Sequence, residues 1–279
     1  KKQETRNKKQ ETRNKKQETR KNSLLKRIDI ILLILFPIFA TFISLFFKVN
    51  YFVSTVLFFV VPAVYFSIRT PKAIKKVTAF TLLMYVPVGV ISDYIFEAGN
   101  AWTIPQSIFL YRVFGVIPIE NFFWGIGSTY LCLMLYEHFI DKSKYELNIN
   151  KTIKIGFFVL LTFVVFVIQI IQDGKVLLFD FPYFWIGLVI LTIPTLSFLL
   201  KFHLFISKFI KICAYFFCLA TLNEFTALSL GHWKFTSPTY IGRISFFNYI
   251  IPIEEFFFYF IIMSLAIMPY FEFFFDDLK

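Results

Sequence analysis

Apolar residues gather along this chain into runs of roughly twenty, the length a helix needs to cross the hydrocarbon core of a bilayer. Charged residues are confined mostly to the short stretches between the runs. The pattern predicts eight membrane helices, near residues 28–47, 51–68, 77–96, 117–136, 153–171, 183–200, 209–230 and 249–271. Residues 1–23 stand apart from them. They open with three near-copies of Lys-Lys-Gln-Glu-Thr-Arg-Asn. No position of that repeat is apolar, so it offers no coiled-coil seam and reads as a disordered basic tail. It does not read as a secretory leader, because the apolar run behind it is too long and lacks a small-residue cleavage site.

The runs carry a motif that occurs twice. Pro118-Ile119-Glu120-Asn121-Phe122-Phe123 heads the fourth run, and Pro252-Ile253-Glu254-Glu255-Phe256-Phe257 heads the eighth. Ahead of each lies a short polar loop with a tryptophan, Asn100-Ala101-Trp102 and Gly231-His232-Trp233. Ahead of each loop an acid, Asp93 or Glu224, sits inside an apolar run. The interval from acid to tryptophan is the same in both copies, and the second loop is longer by three residues before its proline. This order predicts an internal duplication. The expected organisation is an all-α, polytopic transmembrane helical bundle, with a tail (1–23) and two tandem membrane repeats of four spans (24–141 and 152–275).

Composition agrees with a membrane protein. The chain is 57% hydrophobic and only 17% charged, where soluble domains have about a quarter of their residues charged. Its net charge of +11 is local: residues 1–27 hold twelve Lys/Arg and three Glu, a net +9 that leaves +2 for the rest. The basic stretch therefore argues for an anionic lipid surface and against nucleic acid. With the tail inside, inner loops carry eleven Lys/Arg against five in outer loops. That bias predicts an integral, multi-pass protein with both termini cytoplasmic and both Trp loops outside. Cys132, Cys213 and Cys218 all fall in spans and suit no zinc or redox spacing, so they read as packing residues and no metal is expected.

Acids inside membrane spans are costly and point to function. Glu120 and Glu254, just after a proline, are also what an ordinary helix start would carry. The repetition of the whole arrangement favours a functional role. Adjacent helical residues point about 100° apart, so Glu254 and Glu255 cannot share a face. Aromatic residues follow each Glu, and aromatic faces stabilise cations where water is excluded. A protonated carboxyl beside such rings could protonate an alkene and shelter the carbocation. The same rings also serve as packing and interface anchors, and Trp102 and Trp233 as belt residues. A duplicated proton- or cation-coupled transporter, or a lipid- or isoprenoid-binding membrane protein, would use paired carboxyls differently.

Asp93, Trp102 and Pro118-Ile119-Glu120-Asn121, followed by Glu224, Gly231-His232-Trp233 and Pro252-Ile253-Glu254-Glu255, resemble the signature of the membrane-integral lycopene cyclase domain family. That family includes the heterodimeric bacterial cyclases, their fused archaeal relatives and the cyclase portion of fungal bifunctional enzymes. The resemblance runs over residues 24–275 with both repeats fused. It implies a carotenoid β-cyclase, an intramolecular lyase or isomerase acting on a hydrophobic polyene within the membrane. A carboxylic acid would protonate the terminal double bond, a neighbouring alkene would close the ring, and a base would remove a proton. No cofactor is implied, and no dinucleotide-binding glycine motif occurs. The resemblance makes Glu120, Glu254 and Glu255 the leading acid/base candidates, with Asp93 and Glu224 behind them. Asn121, Trp102, Trp233, Phe123 and Phe257 are the candidate substrate contacts. Two departures stand out: Asn121 replaces the second acid of the first motif, and the first Trp loop lacks the family's glycine.

Overall fold

The computed structural model describes residues 2–141, 147 and 149–275, with side chains from residue 24 onward. The chain is an all-α bundle with two short hairpins at one end. Its helices are α1 (Lys2–Phe47), α2 (Tyr51–Arg69), α3 (Pro71–Ala98), α4 (Ile119–Leu135), α5 (Ile149–Leu177), α6 (Pro182–Lys201), α7 (His203–Leu230) and α8 (Glu255–Phe275). The α1 backbone is helical from Lys2, through the basic repeat that the sequence reads as disordered. Lys, Gln, Glu and Arg are good helix formers, and a repeat joined to a membrane helix extends an existing nucleus.

Among the described residues, seven of these helices are long and apolar enough to cross a membrane, one fewer than the hydropathy pattern predicts. The chain is thus an integral, multi-pass membrane protein. The exception is α4, and its place in the bundle explains why. It is the most enclosed helix: residues 131–136 are wholly buried, as are Glu120, Asn121, Ser128 and Thr129. A helix with little surface toward lipid does not need an apolar face. Outer helices show the opposite: Ile30, Ile34, Ile38, Phe42 and Phe46 form an exposed stripe at helical spacing along α1.

The bundle has two polar ends. At one, the loops after α1, α3 and α7 meet: His232 Nε2 lies 3.0 Å from the Val49 carbonyl, and Thr103 pairs with Lys234. At the other, Asp29 of α1 accepts from Nε and Nη2 of Arg69 (2.9 and 3.0 Å) and from the Tyr65 hydroxyl (2.7 Å). His138, in the wide turn that continues α4, bridges Asp29 (3.1 Å) and Thr70 (2.6 Å) there. A helix that starts at Glu120 beside the Trp loops and reaches His138 therefore runs from one end of the bundle to the other.

Several helices widen to π-helical turns shortly before a proline, at 56–60 before Pro62, 81–85 before Pro87 and 187–192 before Pro194. Proline removes a backbone donor, and the wider turn absorbs the mismatch. The ends of α2 and α6 match closely. Thr70 (φ −135°, ψ 62°) and Phe202 (φ −122°, ψ 57°) each lead into a three-residue 3₁₀ turn that starts the next helix. The main apolar core lies around α4, with Phe58, Phe66, Phe209, Phe271 and Phe275 all buried.

Candidate functional site

Each Pro-Ile-Glu turn is delivered by a hairpin. Strand β1 (Arg112–Val113) pairs with β2 (Ile117–Pro118), and β3 (Arg243–Phe246) with β4 (Tyr249–Pro252). In both, an arginine stands opposite the proline, Arg112 to Pro118 and Arg243 to Pro252. Arg112 donates to the Val116 and Ile104 carbonyls (2.8 and 2.7 Å), and Arg243 to the Ser237 carbonyl (2.7 Å). Each arginine thus ties its hairpin to the loop ahead of it.

The glutamate after each proline turns to that loop. Glu120 is fully buried and accepts from the Ser107 hydroxyl (2.8 and 2.7 Å), the Ile108 N–H (2.6 Å) and the Phe109 N–H (3.4 Å). Glu254 accepts from the Ile241 N–H (2.6 Å). One residue on, the helix has rotated about 100°, and Asn121 and Glu255 face the bundle interior. There each meets a tyrosine from the start of another helix: Tyr51 of α2 donates to Asn121 Oδ1 (2.9 Å), and Tyr183 of α6 donates to Glu255.

Those residues border an apolar cavity of about 260 Å³. Asp93, Asn121, Glu224 and Glu255 line it, together with Trp102 and Trp233. It takes residues from both halves of the chain. Trp233 donates its Nε1–H to Glu224 Oε1 (2.9 Å), which aims that carboxyl, and Glu255 is the electrostatic neighbour of Glu224. Asp93 lies beside the Asn121 side chain. Tyr183 and Tyr259 stack 4.3 Å apart at 16°, with Phe96 edge-on to both. Carboxyl groups and aromatic faces therefore share one mostly apolar space.

The structure sorts the sequence candidates. It brings together Asp93, Asn121, Glu224, Glu255, Trp102 and Trp233. Glu120 and Glu254 lie outside the cavity wall, bonded to loop backbone. Phe123 and Phe257 are 41% and 51% exposed and turn outward, packing against Phe52 and Phe256. Three residues went unnoticed in the sequence: Tyr51, Tyr183 and Ser107. Tyr51 and Tyr183 had a signal, since each stands eleven residues before a proline, Pro62 or Pro194. Ser107 had none.

The Trp loops are joined across the bundle by reciprocal bonds, Thr103 N–H to Lys234 O and Lys234 N–H to Thr103 O, both 2.9 Å. Thr103 follows Trp102 and Lys234 follows Trp233, so equivalent positions meet. Gly231 ends α7 at φ +69°, the left-handed cap that frees the chain to turn toward Trp233. His232 is buried behind it, and burial holds its imidazole below the ordinary histidine range. The neutral ring donates Nε2–H to the Val49 carbonyl. Tyr240 of the second loop donates to the Ala101 carbonyl of the first, and both belong to one buried cluster with Tyr183. Comparison with family models, curated proteins and solved structures gives no match to this chain.

Proposed function

We propose that this protein is a carotenoid-type β-cyclase, which closes a ring at the acyclic end of a membrane-dissolved polyene by proton transfer alone. The observation that carries the reading is the meeting of Asp93, Glu224 and Glu255 with aromatic faces in one apolar cavity. The resemblance of the two Pro-Ile-Glu motifs to lycopene cyclase domains supports it. In this reading two parallel four-span repeats form the bundle, with α4 as the eighth crossing and both termini cytoplasmic. The matched turns after α2 and α6, the matched hairpins and the Thr103–Lys234 pairing all support the duplication.

The mechanism assigns Glu255 as proton donor, oriented by the Tyr183 hydroxyl. A new C–H bond forms at the terminal alkene, leaving a tertiary cation. The neighbouring alkene attacks that cation and closes a six-membered ring. The cation that results loses a proton to a carboxylate across the cavity, Glu224 or Asp93, giving a net isomerisation. The stacked Tyr183–Tyr259 pair and Trp102 present π faces to the travelling charge, an attraction worth about 2 kcal/mol or more per contact when water is excluded.

The test is pigment analysis of lycopene-producing bacteria that express the chain. Cyclic carotene with the wild type, lost about a hundredfold or more with Glu255→Gln, is expected for a general acid. Unchanged lycopene with the protein present in the membrane would overturn the proposal, and proton-gradient-driven flux without cyclic product would replace it with a transporter.

A further inference from the structure

The shared cavity has a smaller neighbour of about 50 Å³ between α4, α7 and α8, and Glu224 and Glu255 line both. Matching offsets in the two halves explain where it lies. Eight residues before Asp93 stands Tyr85, and four before it Gly89; five residues after Glu120 stands Gly125. The Tyr85 ring fills the slot that these two glycines leave. A Cβ on Gly89 would lie 2.7 Å from the Tyr85 Cζ, and one on Gly125 would coincide with the Tyr85 hydroxyl. Tyr85 is in turn an electrostatic neighbour of Asp93. The same offsets from Glu224 and Glu254 give Phe216, Ala220 and Tyr259. All three line the small pocket. The second half thus has a phenyl ring where the first has a phenol, and its pocket lies beside Glu224 as Tyr85 lies beside Asp93.

The polar lining of the pocket suits a bound water. Ser264 Oγ is buried with no hydrogen-bond partner among the described residues. The Cys213 thiol beside it is committed to the Ile261 carbonyl at 3.2 Å. Ser128 donates to the Gly125 carbonyl (3.1 Å), so its oxygen can accept. Asn223 accepts through Oδ1 from Trp124 Nε1 (3.3 Å), so its amide N–H groups can donate. Trp233 takes Oε1 of Glu224 and Tyr183 takes Oε2 of Glu255, which leaves one oxygen of each carboxyl for the pocket. A buried water needs about 10–15 Å³ and several polar partners, and this pocket offers both.

We propose that this pocket binds an ordered water that bridges Glu224 and Glu255, held by Ser264 and standing as the counterpart of the Tyr85 hydroxyl. Its chemical role rests on the cyclase reading above; its presence does not. In that reading Glu255 gives its proton to the terminal alkene carbon. The ring cation then loses a proton to the Glu224 carboxylate as the new double bond forms. Glu224 now holds the proton that Glu255 lacks. It passes that proton to the water while the water passes one of its own to Glu255, which restores both carboxyls without exchange with bulk solvent. The water thereby selects Glu224 over Asp93 as the base, and Ser264 is a positioning residue.

The water is read by infrared difference spectra of the full chain in lipid nanodiscs on acidification, in ordinary and in heavy-oxygen water. The expected signal is a water O–H stretch that shifts with the heavy isotope, is lost in Ser264→Ala and persists in Ser264→Thr. No isotope-sensitive band, or one indifferent to Ser264→Ala, would overturn the site. The proton return is read in the same samples with lycopene as substrate. Ser264→Ala should leave the first turnover unchanged and slow later ones about tenfold or more, the effect of losing one hydrogen bond to a charged group, with recovery in Ser264→Thr. Later turnovers slowed no more than the first would overturn the proton return. Absence of cyclic product from the wild type would reject the cyclase, and the water band would still decide the pocket.

Discussion

Replacing Glu120 by glutamine separates a structural carboxylate from a chemical one. In sequence Glu120 is a leading acid candidate, but its oxygens are taken up by Ser107, Ile108 and Phe109 of the preceding loop. Glutamine keeps the shape and one carbonyl acceptor but loses the charge. Hydrogen bonds to charged groups contribute about 1.5–3 kcal/mol against about 0.5–1.5 for neutral ones, a loss of about 1–1.5 kcal/mol for each short bond. Two such bonds, from Ser107 and from Ile108 at 2.6 Å, give about 2–3 kcal/mol. At about 2–4 °C per kcal/mol for a protein of this size class, the melting temperature should fall by about 4–12 °C. The assay is thermal unfolding of detergent-solubilised protein, paired with product formed per folded molecule. Activity per folded molecule should stay within about threefold of wild type, against the hundredfold or greater loss expected for removing a general acid. An unchanged melting temperature with abolished activity would refute the structural assignment and return Glu120 to the chemistry.

Three further perturbations test other parts of the structure. Gly187→Ala places a Cβ 2.5 Å from Phe258 Cγ and 2.9 Å from its Cβ; the clash should cost about 1–3 kcal/mol, read as a lower melting temperature, and an unchanged one would mean that α6 and α8 are not so closely packed. Lys76 Nζ lies 2.6 Å from Glu137 Oε1 with both side chains buried; Lys76→Met should cost about 3–5 kcal/mol, with partial recovery in the Lys76→Met/Glu137→Gln double variant, and no recovery would mean that the pair is not the main loss. Burial lowers the His232 pKa in the folded state, so the folded protein disfavours the charged ring. Stability is then complete above the unfolded value of about 6.5 and falls as pH drops from there toward the folded value. His232→Gln should flatten that part of the melting-temperature profile, and a parallel profile would remove His232 from the explanation.

The helices were legible because bilayer thickness fixes the length of a span. The exception is instructive. Between Ile119 and Asp141 the chain carries Glu120, Asn121, Ser128, Thr129 and Glu137, all buried. Hydropathy measures tolerance of lipid, and a helix largely surrounded by other helices meets little of it, so it can hold polar groups that bond to its neighbours. The same logic explains why the Asp29 and Lys76 ion pairs escaped notice. Each partner is separated in sequence by forty or more residues, Asp29 from Arg69 and Lys76 from Glu137, and no periodicity links them.

The site was half legible, for a reason in helix geometry. Two adjacent residues after each proline had to face different ways, and the sequence could not say which faced inward. The first helical turn resolves it. Backbone N–H groups packed away from water need acceptors, and Glu120 and Glu254 supply them to Ile108 and Ile241 of the loops ahead. The next residue is then rotated into the interior, where it is Asn121 in one half and Glu255 in the other. The two halves therefore do not bring equal chemistry to the shared cavity. One pairs a tyrosine with an amide that cannot release a proton, and the other pairs a tyrosine with a carboxyl that can. If the cavity is a cyclase site, this asymmetry gives one donor per chain and one ring closed per binding event. A polyene with two acyclic ends would then have to leave and return reversed before its second end could react.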